Sequence, residues 1–547
     1  MGSLGSIPTD VLIVGAGPVG LCLALDLGRR GIRSLLIERN SGPETELQAK
    51  ASVIDERTME FCRLLGVRDD IVNAGYPDDL PGDTVFCTTL NGHYIGRLEM
   101  PSARDREEPA EAAEMLRRCP QIWFDPILAR AVGRQGMAQV RYGEQVVACS
   151  QDESGVICSV KNVEQGTVSE IRARYLVGCD GPGSVVRKSL GIPFEGKDLG
   201  YAISAIVRVD FSNYHAFGPA ERYMFIGPDG TWGNFTTIDG RDLWRFSVVG
   251  GKEPTDLTTF DMDGLLRKAL GNDEIGYEII KVVQWRRSQY TAQRYHQGRV
   301  FLAGDAAHTM SPTGGHGLNT GIGDAMTLGW MLQALLEGWG ESALAAAYTA
   351  ERRPIAIRNG AGSTRNFAIW TARKGRDKVL NDGPDAEIQR HALGEDMAAN
   401  MRQEFQSLGL ALGYNYAESP LIVQDGSDAP ADDADIYIQT ARPGHRAPHV
   451  WLEDGRSTID LFGGKFVLLC FGNEEKGASL VAGAKKIGFP LDTVYLNNEN
   501  LLKTYERQLI LVRPDGMVAW RGDILPGDVD ALLNRVRGVS TSNSDRL

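Results

Sequence analysis

A glycine-rich turn near the start of the chain constrains the fold more than any other feature. Val11-Leu-Ile-Val14 is typical of a buried strand, and Gly15-Ala-Gly-Pro-Val-Gly20 is typical of a tight turn. Leu21 to Leu27 then has helical spacing, and Ser34 to Glu38 predicts a second strand. In such a βαβ unit the first glycine permits the turn, the second lets the backbone approach a pyrophosphate, and the third allows close helix packing.

The acid at the end of the second strand narrows the choice of ligand. Glu38 follows Gly20 by eighteen residues, a position from which a carboxylate accepts hydrogen bonds from a ribose diol. A carboxylate there disfavours a 2′-phosphate, so a resident NADPH is not expected and FAD fits better. The alternative for the glycines alone is a purely structural turn, which the flanking strand, helix and acid make the weaker interpretation.

A second strand runs into a turn that contains a carboxylate. Tyr175-Leu-Val-Gly-Cys-Asp180-Gly181 predicts a strand and a turn, and Ser184 is a residue type that caps the start of a helix. Asp180 and Gly181 therefore either contact a cofactor or form an ordinary Asp-Gly turn. This segment by itself leaves both interpretations open.

A third segment combines a strand, a carboxylate and a glycine-rich helix start. Val300 to Ala303 predicts a short strand that ends just before Asp305, and Thr313-Gly-Gly-His-Gly precedes a helix predicted to open near Leu318. The first amides of that helix are unpaired and favour an electron-rich ligand. A helix end contributes only about 0.3–2 kcal/mol, so this segment predicts a cradle that assists a bound flavin.

These segments predict an α/β protein with several domains. A Rossmann-like FAD-binding domain is predicted over residues 1–200 and 285–360, interleaved with an antiparallel-sheet substrate domain over 201–284 to which 77–104 contributes. Residues 361–435 are predicted as a helical segment and linker, and 436–547 as a separate α/β domain. Pro354 predicts an end or a kink in the helix that follows Gly323.

The order of the three turns resembles that of the class A FAD-dependent aromatic hydroxylases, the group that includes p-hydroxybenzoate, phenol and 3-(3-hydroxyphenyl)propionate hydroxylases. The resemblance covers nearly the whole chain. Pro443 to His449 and Leu511 to Arg521 look like the thioredoxin-like C-terminal domain of the phenol hydroxylase branch. Cys470 has no cysteine two or three residues away, so a packing role is expected there and a dithiol function is not.

The resemblance implies a set of FAD contacts spread along the chain. These residues are Gly15, Gly17, Pro18, Gly20, Glu38, Arg39, Lys50, Gln121, Asp180, Gly181, Asp305, Pro312, Gly315, Gly317, Leu318 and Asn319. Asp305 is implied to hydrogen-bond the ribityl chain. Lys50 stands where the family usually has an arginine, and it keeps the charge but loses the planar fork of donors.

Candidates for catalysis lie in and around the glycine-rich loop. Pro312 and His316 are the candidate catalytic residues, with loop packing as the alternative for His316. His308 is favoured as a structural hydrogen-bonding residue. Three further residues stay open: Arg286 and Arg287, which either face the substrate sheet or form a solvated pair, and Asp55, a candidate base whose helix face the spacing does not decide.

The reaction follows from the resemblance and from one absence. No second GxGxxG unit exists for a nicotinamide cofactor, so NADPH or NADH is expected to visit as a co-substrate. The resemblance implies that the reduced flavin captures O2 as a C4a-hydroperoxide and hydroxylates a phenolic or other electron-rich aromatic substrate. A free phenol has a pKa near ~10, so its activation at neutral pH requires roughly 4 kcal/mol or a base.

Two alternatives and several exclusions complete the predictions. A flavin-dependent epoxidase or halogenase is one alternative, although a Trp-x-Trp-x-Ile motif is missing, and a weakly active flavin-bound interaction protein is the other. The net charge of −13 and the lack of a basic stripe argue against nucleic acid and anionic membranes as partners. Eight scattered cysteines without a CxxC pair predict no metal site. A cytoplasmic location is expected, and a homodimer is left open, as are the aromatic substrate and the choice of NADH or NADPH.

Overall fold

The computed structural model describes residues 9–43, 50–211, 216–372, 375–472 and 474–539. The strands in these ranges are β1 (Thr9–Val14), β2 (Ser34–Glu38), β3 (Val53–Ile54), β4 (Thr84–Cys87), β5 (Tyr94–Leu98), β6 (Arg117–Arg118), β7 (Ala138–Tyr142), β8 (Glu144–Gln151), β9 (Val156–Asn162), β10 (Val168–Gly178), β11 (Phe194–Arg208), β12 (Arg222–Gly227), β13 (Gly230–Thr237), β14 (Leu243–Val249), β15 (Glu278–Ala292), β16 (His296–Gln297), β17 (Val300–Leu302), β18 (His308–Thr309), β19 (Phe466–Phe471), β20 (Leu491–Leu496), β21 (Leu509–Val512) and β22 (Val518–Gly522).

The α-helices are α1 (Pro18–Arg29), α2 (Glu56–Leu64), α3 (Arg68–Val72), α4 (Gln121–Gln135), α5 (Val185–Ser189), α6 (Met262–Leu270), α7 (His316–Glu337), α8 (Ala343–Trp370), α9 (Pro384–Phe405), α10 (Leu408–Leu412), α11 (Ala478–Lys486), α12 (Glu499–Tyr505) and α13 (Val529–Val536). Short 3-10 turns occur at Gly304–Ala306, Thr458–Leu461 and Glu474–Gly477.

The first sheet has the strand order β16-β17-β10-β1-β2-β7, and the strands from β17 to β7 run parallel. Helices α1, α4 and α7 pack beside it. Its strands are apolar on both faces, as the buried run Val11 to Val14 illustrates, because the strands of a parallel sheet are buried on both sides. This is the predicted Rossmann-like layer.

The three turns singled out in the sequence meet at one edge of this sheet. Strands β1, β10 and β17 are parallel neighbours, so their carboxyl ends lie side by side. The amide of Cys179 donates to the carbonyl of Val14 over 2.8 Å, and the amide of Ala303 donates to the carbonyl of Gly178 over 2.9 Å. Ligands of open α/β sheets bind outside this edge, so the three turns can contact one bound molecule.

The second sheet has the strand order β18-β15-β11-β14-β13-β12-β4-β5 and is antiparallel except between β12 and β4. It extends past both ends of the predicted range 201–284. Strand β11 begins at Phe194, and strand β15, which pairs with it, ends at Ala292. Strands β4 and β5 come from within residues 77–104, the segment predicted to join this sheet.

The two faces of the second sheet differ in chemistry. One face packs an aromatic cluster, including Phe235, Phe246 and Tyr223, against Leu266 of α6. The opposite face carries more polar residues and meets α4 of the first layer, where Ile122 packs against the cluster of Ile206, Ile238 and Leu243. The second sheet therefore turns its polar face toward the cofactor-binding edge.

Helix α8 continues through Pro354, so the predicted helix end at that residue is wrong, while the alternative, a kink, stays a prediction. A proline inside a helix costs about 3 kcal/mol, since it removes one backbone hydrogen bond and crowds the preceding turn. Neighbouring side chains hold the helix in place: Glu351 pairs with Arg513 at 2.6 Å, and Arg352 pairs with Asp324 at 2.8 Å, all of them buried. Tertiary contacts thus outweigh the local signal.

The C-terminal residues form a third sheet with the order β20-β19-β21-β22, in which β19 is parallel to β20 and antiparallel to β21. Helices α11 and α13 pack on each other beside it, as expected for a thioredoxin-like fold. Cys470 is fully buried on β19, and all eight cysteines are free thiols.

Membrane-spanning helices and metal-binding clusters are both absent from the described residues. No helix in these ranges is both long enough and apolar enough to span a bilayer. The same residues contain no group of three or more His, Cys, Asp or Glu side chains placed to hold a metal ion.

Candidate cofactor and substrate site

The glycines of the first turn have different structural requirements. Gly15 has a φ of +103°, and a Cβ added to it would lie 2.4 Å from the carbonyl oxygen of Cys179. A Cβ on Gly20 would lie 2.1 Å from the carbonyl oxygen of Gly15. A Cβ on Gly17 would meet no atom within 4 Å. Gly15 and Gly20 are therefore required by the packing of the turn, whereas Gly17 borders open space at the start of α1, where Pro18 is the first helical residue.

Glu38 lies half-buried at the rim of this space. Its two carboxylate oxygens accept hydrogen bonds from the amides of Ala16 and Asn40, each over 2.9 Å. The carboxylate thus fixes the turn, and its remaining lone pairs are available to a ribose hydroxyl. Arg39, the next residue, is exposed.

Asp180 is bound mainly within its own turn. Its carboxylate accepts hydrogen bonds from the hydroxyl of Ser184 at 2.5 Å and from the amide of Val185 at 2.7 Å, at the start of α5. Burial raises the pKa of Asp180, and these hydrogen bonds oppose the increase. Gly181 follows with a φ of +77°. These contacts form the turn itself, and a cofactor contact of Asp180 and Gly181 stays a prediction.

Asp305 stands in an open cleft. Its side chain is exposed to solvent, yet the surrounding protein raises its pKa by desolvation, against the opposing effect of His308 and Lys50. A carboxylate that is both accessible and partly desolvated lies inside a concave surface. Lys50 is exposed beside this cleft, so a cation and an anion flank it.

The start of α7 forms the far wall. Gly315 caps the helix with a φ of +70°, and the helix begins at His316. The side chain of Asn319 donates to the carbonyl of Val53 at 3.0 Å and accepts from the amide of Asp55 at 3.1 Å. Asn319 therefore fastens the helix start to the segment before α2, while the first-turn residues Gly317 and Leu318 are half-buried and Pro312 is exposed.

Gln121 is held at the start of α4. Its amide donates to the carbonyl of Ala51 at 2.9 Å, and its side chain donates to Asp125 at 3.0 Å. Asp125 was missed in the sequence, although an acid inside an apolar helical stretch was a usable signal. It is 2% exposed, its second carboxylate oxygen has no partner among the described residues, and burial raises its pKa to about 7. It orients Gln121.

The two histidines near the glycine-rich loop have different surroundings. His308 is buried and its Nε2 lies 2.8 Å from Asp324, which confirms the structural role predicted for it. His316 is also buried, and a Cβ on Gly314 would lie 2.5 Å from its Nε2, so its ring packs behind the loop. Burial and the charges of Arg358 and Arg365 lower the pKa of His316 to about 4, so its ring is neutral at pH 7.

The three residues left open by the sequence separate in the structure. Arg286 is exposed and pairs with Asp198, whereas Arg287 is buried and donates to the hydroxyl of Ser311 at 2.9 Å. Asp55 is the N-cap of α2 and accepts from the amide of Thr58 at 2.8 Å. Burial raises the pKa of Asp55 to about 6.

A cavity lies between the first layer and the polar face of the second sheet. Its lining residues are Lys50, Ala51, Ser52, Pro120, Gln121, Ile122, Thr236, Thr237, Ile238 and Arg245. Gln121 and Lys50 thus belong both to the predicted cofactor contacts and to this cavity. The lining contains two cations and no carboxylate.

These residues fit FAD. Gly17 borders open space at the turn where such units bind a pyrophosphate, and Glu38 ends the strand whose acid binds a ribose in such units. Asp305 and the amides at the start of α7 are the further groups predicted to contact the cofactor.

The comparisons with known proteins agree with this fit. A family model described as FAD binding domain matches residues 8–361, and a model described as aromatic-ring hydroxylase, C-terminal, matches residues 440–539. The 2,4-dichlorophenol 6-monooxygenase of Delftia acidovorans is 30% identical over 563 residues, which cover 94% of this chain and 95% of that protein.

Two solved structures share the whole architecture. The rebeccamycin biosynthetic enzyme RebC, determined with reduced flavin, has a TM-score of 0.89 and 35% identity, covering 98% of this chain and 99% of that chain. The flavin-dependent monooxygenase PieE, determined with FAD and substrate, has a TM-score of 0.87 and 28% identity, covering 98% of this chain and 100% of that chain.

These findings confirm the predicted fold class, the FAD cofactor and the aromatic monooxygenase class, and they do not favour the epoxidase, halogenase or interaction-protein alternatives. The chain belongs to the FAD-dependent aromatic-ring hydroxylases, a family of monooxygenases.

Proposed function

We propose that this enzyme hydroxylates a phenolic or other electron-rich aromatic compound, with NAD(P)H and O2, in the cavity between Gln121 and Arg245. The observation that carries this proposal is the lining of that cavity, which combines Lys50 and Gln121, two of the predicted cofactor contacts, with Thr236, Thr237 and Arg245 of the second sheet. The relatives named as monooxygenases of phenols support the substrate class.

The proposed contacts to FAD follow from the cleft. The amides after Gly17 would bind the pyrophosphate, Glu38 would bind the ribose, and Asp305 would accept hydrogen bonds from the ribityl hydroxyls. The amides of Gly317 and Leu318 would face the flavin edge that becomes electron-rich. When bound, FAD accepts reducing equivalents from NAD(P)H and activates O2 for transfer to the aromatic ring.

The protein's own part is to position the ring and exclude water. Ile122 and Ile238 supply apolar surface, and Thr236 and Thr237 supply hydroxyls that can orient a phenol. Water exclusion protects a reactive oxygen donor from side reactions. Pro312 is proposed to contact the cofactor from the exposed side of the loop, whereas His316 is proposed to pack the loop from behind.

Purified enzyme tests this proposal. We expect a yellow protein whose NADPH or NADH oxidation is stimulated by a subset of a phenol panel, with one oxygen atom from ¹⁸O2 incorporated into the product. A flavin that stays oxidised with every phenol would contradict the proposal, and reduction without oxygen incorporation would also contradict it.

A matched pair of variants tests the cofactor contacts. Asp305→Ala removes the carboxylate in the cleft, and we expect FAD affinity to fall about tenfold or more, because hydrogen bonds to charged groups contribute about 1.5–3 kcal/mol. Asp492→Ala removes a carboxylate that is 55% exposed on the C-terminal domain and should leave FAD affinity unchanged. Equal FAD affinities of the two variants would show that Asp305 does not contact the cofactor.

The division into FAD-binding residues 1–200 and 285–360, a substrate domain over 201–284 and a thioredoxin-like domain over 436–547 is proposed on the same basis. A cytoplasmic location and a homodimer stay predictions from the sequence.

A further inference from the structure

Two cysteines face each other across the hairpin of β8 and β9. Cys149 on β8 and Cys158 on β9 are directly paired in the antiparallel register of these strands. Directly opposed residues of an antiparallel pair place their side chains on the same face of the sheet. Both side chains also pack in the same hydrophobic cluster, so the two thiols share one face and one environment.

The backbone hydrogen bonds of the hairpin identify the type of this pair. The amide of Asp152 donates to the carbonyl of Gly155 over 2.9 Å, so these two residues form a hydrogen-bonded pair at the turn. Hydrogen-bonded and non-hydrogen-bonded pairs alternate along antiparallel strands, and Cys149 and Cys158 form the third pair beyond the turn pair. They are therefore a non-hydrogen-bonded pair, in which the Cα atoms lie about 4.5 Å apart and the side chains approach most closely.

This separation suits a disulfide bond. Disulfide-bonded cysteines usually have Cα atoms about 4.4–6.8 Å apart, so Cys149 and Cys158 can be joined without a rearrangement of the strands. Both residues are free thiols in the structure. Burial raises the pKa of Cys158 to about 12, and Cys149 contributes to the increase, as expected for two neighbouring sulfur atoms.

The two thiols differ in their access to solvent. Cys149 is half-buried, whereas Cys158 is fully buried. A small oxidant in solution therefore reaches Cys149 first, and Cys158 lies beside it as a second thiol. Cys87 shows the contrast, because it is fully buried on β4 and faces Tyr94 across its own strand pair.

We propose that Cys149 and Cys158 form a modification site, at which hydrogen peroxide converts the two thiols into a reversible disulfide. In the first step the Cys149 thiolate attacks one peroxide oxygen, an S–O bond forms, the O–O bond breaks and one water leaves. In the second step the Cys158 thiolate attacks the Cys149 sulfur, the S–S bond forms, and the S–O bond breaks with release of a second water. The two thiols together lose two electrons and two protons, and one peroxide is reduced to two waters.

Cys158 has a specific role in this chemistry. A sulfenic acid that meets no second thiol can be oxidised further to a sulfinic acid, which dithiols do not reduce. An opposed thiol captures the sulfenic acid first, and thiol–disulfide exchange later restores both thiols. The pair therefore keeps the oxidation of Cys149 reversible. This inference goes beyond the proposed hydroxylase function and does not depend on it.

Peptide mapping of the FAD-loaded enzyme tests the proposal. The native protein is treated with hydrogen peroxide at about pH 8.5, because the thiolate is the reactive form, and is then alkylated under denaturing conditions. Trypsin leaves both cysteines in one peptide, Tyr142 to Lys161, and a glutamate-specific protease separates them by cleavage after Glu153. We expect this peptide to lose two hydrogen atoms, its two fragments to stay joined, and two of the eight thiols to escape alkylation until dithiothreitol is added.

Variants assign the roles of the two cysteines. In Cys158→Ala the second thiol is missing, so peroxide should oxidise Cys149 to the sulfinic or sulfonic acid, and dithiothreitol should no longer restore it. In Cys149→Ala, Cys158 should stay reduced and be alkylated. Cys87→Ala is the matched control, because it removes a buried strand cysteine that faces a tyrosine, and the bridge should still form.

The wild-type protein decides the proposal even where a variant fails to fold. The proposal is overturned if both cysteines of the tryptic peptide remain available for alkylation after peroxide treatment. A sulfinic acid at Cys149 beside an alkylated Cys158 also overturns it. The same holds for a disulfide that joins either residue to a different cysteine, or that forms only after denaturation.

Discussion

Gly15 and Gly17 have different functions, although they belong to the same sequence motif. Gly15 is needed because its backbone conformation is left-handed and the next turn lies against it. Gly17 has an ordinary φ of −75° and open space beside it. One glycine therefore serves the fold, and the other serves the ligand.

This difference predicts that alanine substitutions at Gly15 and Gly17 change different properties of the protein. Gly15→Ala should lower the free energy of unfolding of the FAD-free protein by about 1–3 kcal/mol or more, because of backbone strain and overlap with Cys179. Gly17→Ala should leave that stability nearly unchanged and weaken FAD binding at least about tenfold. Denaturant titration and flavin fluorescence measure the two quantities, and the prediction is wrong if both variants behave alike.

His316 predicts a pH dependence of stability. Its pKa falls from 6.5 to about 4 on folding, because burial and two nearby arginines disfavour the charged ring. Unfolding therefore takes up a proton between these pH values, and the free energy of unfolding decreases as the pH falls from about 6.5 to about 4. The loss should reach about 3 kcal/mol, at 1.36 kcal/mol per pKa unit.

Substitution isolates this contribution. His316→Gln should flatten the decrease in stability between pH 6.5 and 4 relative to the wild type. His391→Gln, which changes a histidine that is 77% exposed, should leave the slope unaltered. Parallel curves for the wild type and His316→Gln would show that this histidine is not the source.

At the scale of elements, α7 is held to the end of the first sheet by a buried charge network. Asp324 accepts from Arg352 at 2.8 Å, from the amide of Gly304 at 3.0 Å, and lies 2.8 Å from His308. Burial alone would raise the pKa of Asp324, but His308 and Arg352 outweigh that effect and lower it. The network thus links α7, α8 and the turn that contains Asp305.

Breaking this network should be costly. Asp324→Asn leaves Arg352 buried without its partner, and we expect about 3–5 kcal/mol of lost stability. Asp263→Asn provides the comparison, because that carboxylate is 53% exposed and solvent screens its pair with Arg267, so the change in stability should be small. Similar midpoints of urea unfolding for both variants would contradict the structural role of Asp324.

At the scale of the whole molecule, buried contacts join the C-terminal domain to helices α7 and α8. Arg513 on this domain binds Glu351 of α8 through two hydrogen bonds of 2.6 and 2.8 Å. Trp330 of α7 donates to Asp515 at 3.1 Å and packs against Phe466 of β19. The domain therefore buttresses α7 and α8, the helices behind the cofactor cleft.

This attachment predicts a single cooperative unfolding transition that one substitution should split. Arg513→Met leaves Glu351 and Asp515 buried without their cation, which should lower the free energy of unfolding by about 3–5 kcal/mol. The C-terminal domain should then unfold in a separate transition from the rest of the chain. Lys465→Met, at an exposed pair with Asp492, should preserve one transition. Scanning calorimetry decides, and an unchanged single transition in Arg513→Met would refute the coupling.

Much of the fold could be predicted because its signals are local. The glycine turn at Gly15 and the strand Ser34–Glu38 depend on nearest neighbours and on periodic apolar residues. The predicted helix end at Pro354 was wrong for the same reason, since a local signal carries no information about the ion pairs that hold α8.

Side-chain surroundings in the candidate site could not be predicted in this way. Arg286 and Arg287 are neighbours in sequence, yet one is exposed and one is buried, because a strand points successive residues to opposite faces. The pairing between β11 and β15 and the packing of Ile122 decide which face of the second sheet meets the first layer. Asp125 and Arg245 gained significance only once their surroundings were known.

The sequence by itself determined the three turns, their order and the α/β layer that brings them together, because parallel strands of known order must end at one edge. The tertiary structure alone decided which side chains face the cleft and which cations share the cavity. Those properties depend on the register of distant strands and on burial, and neither quantity is encoded in any one segment of the chain.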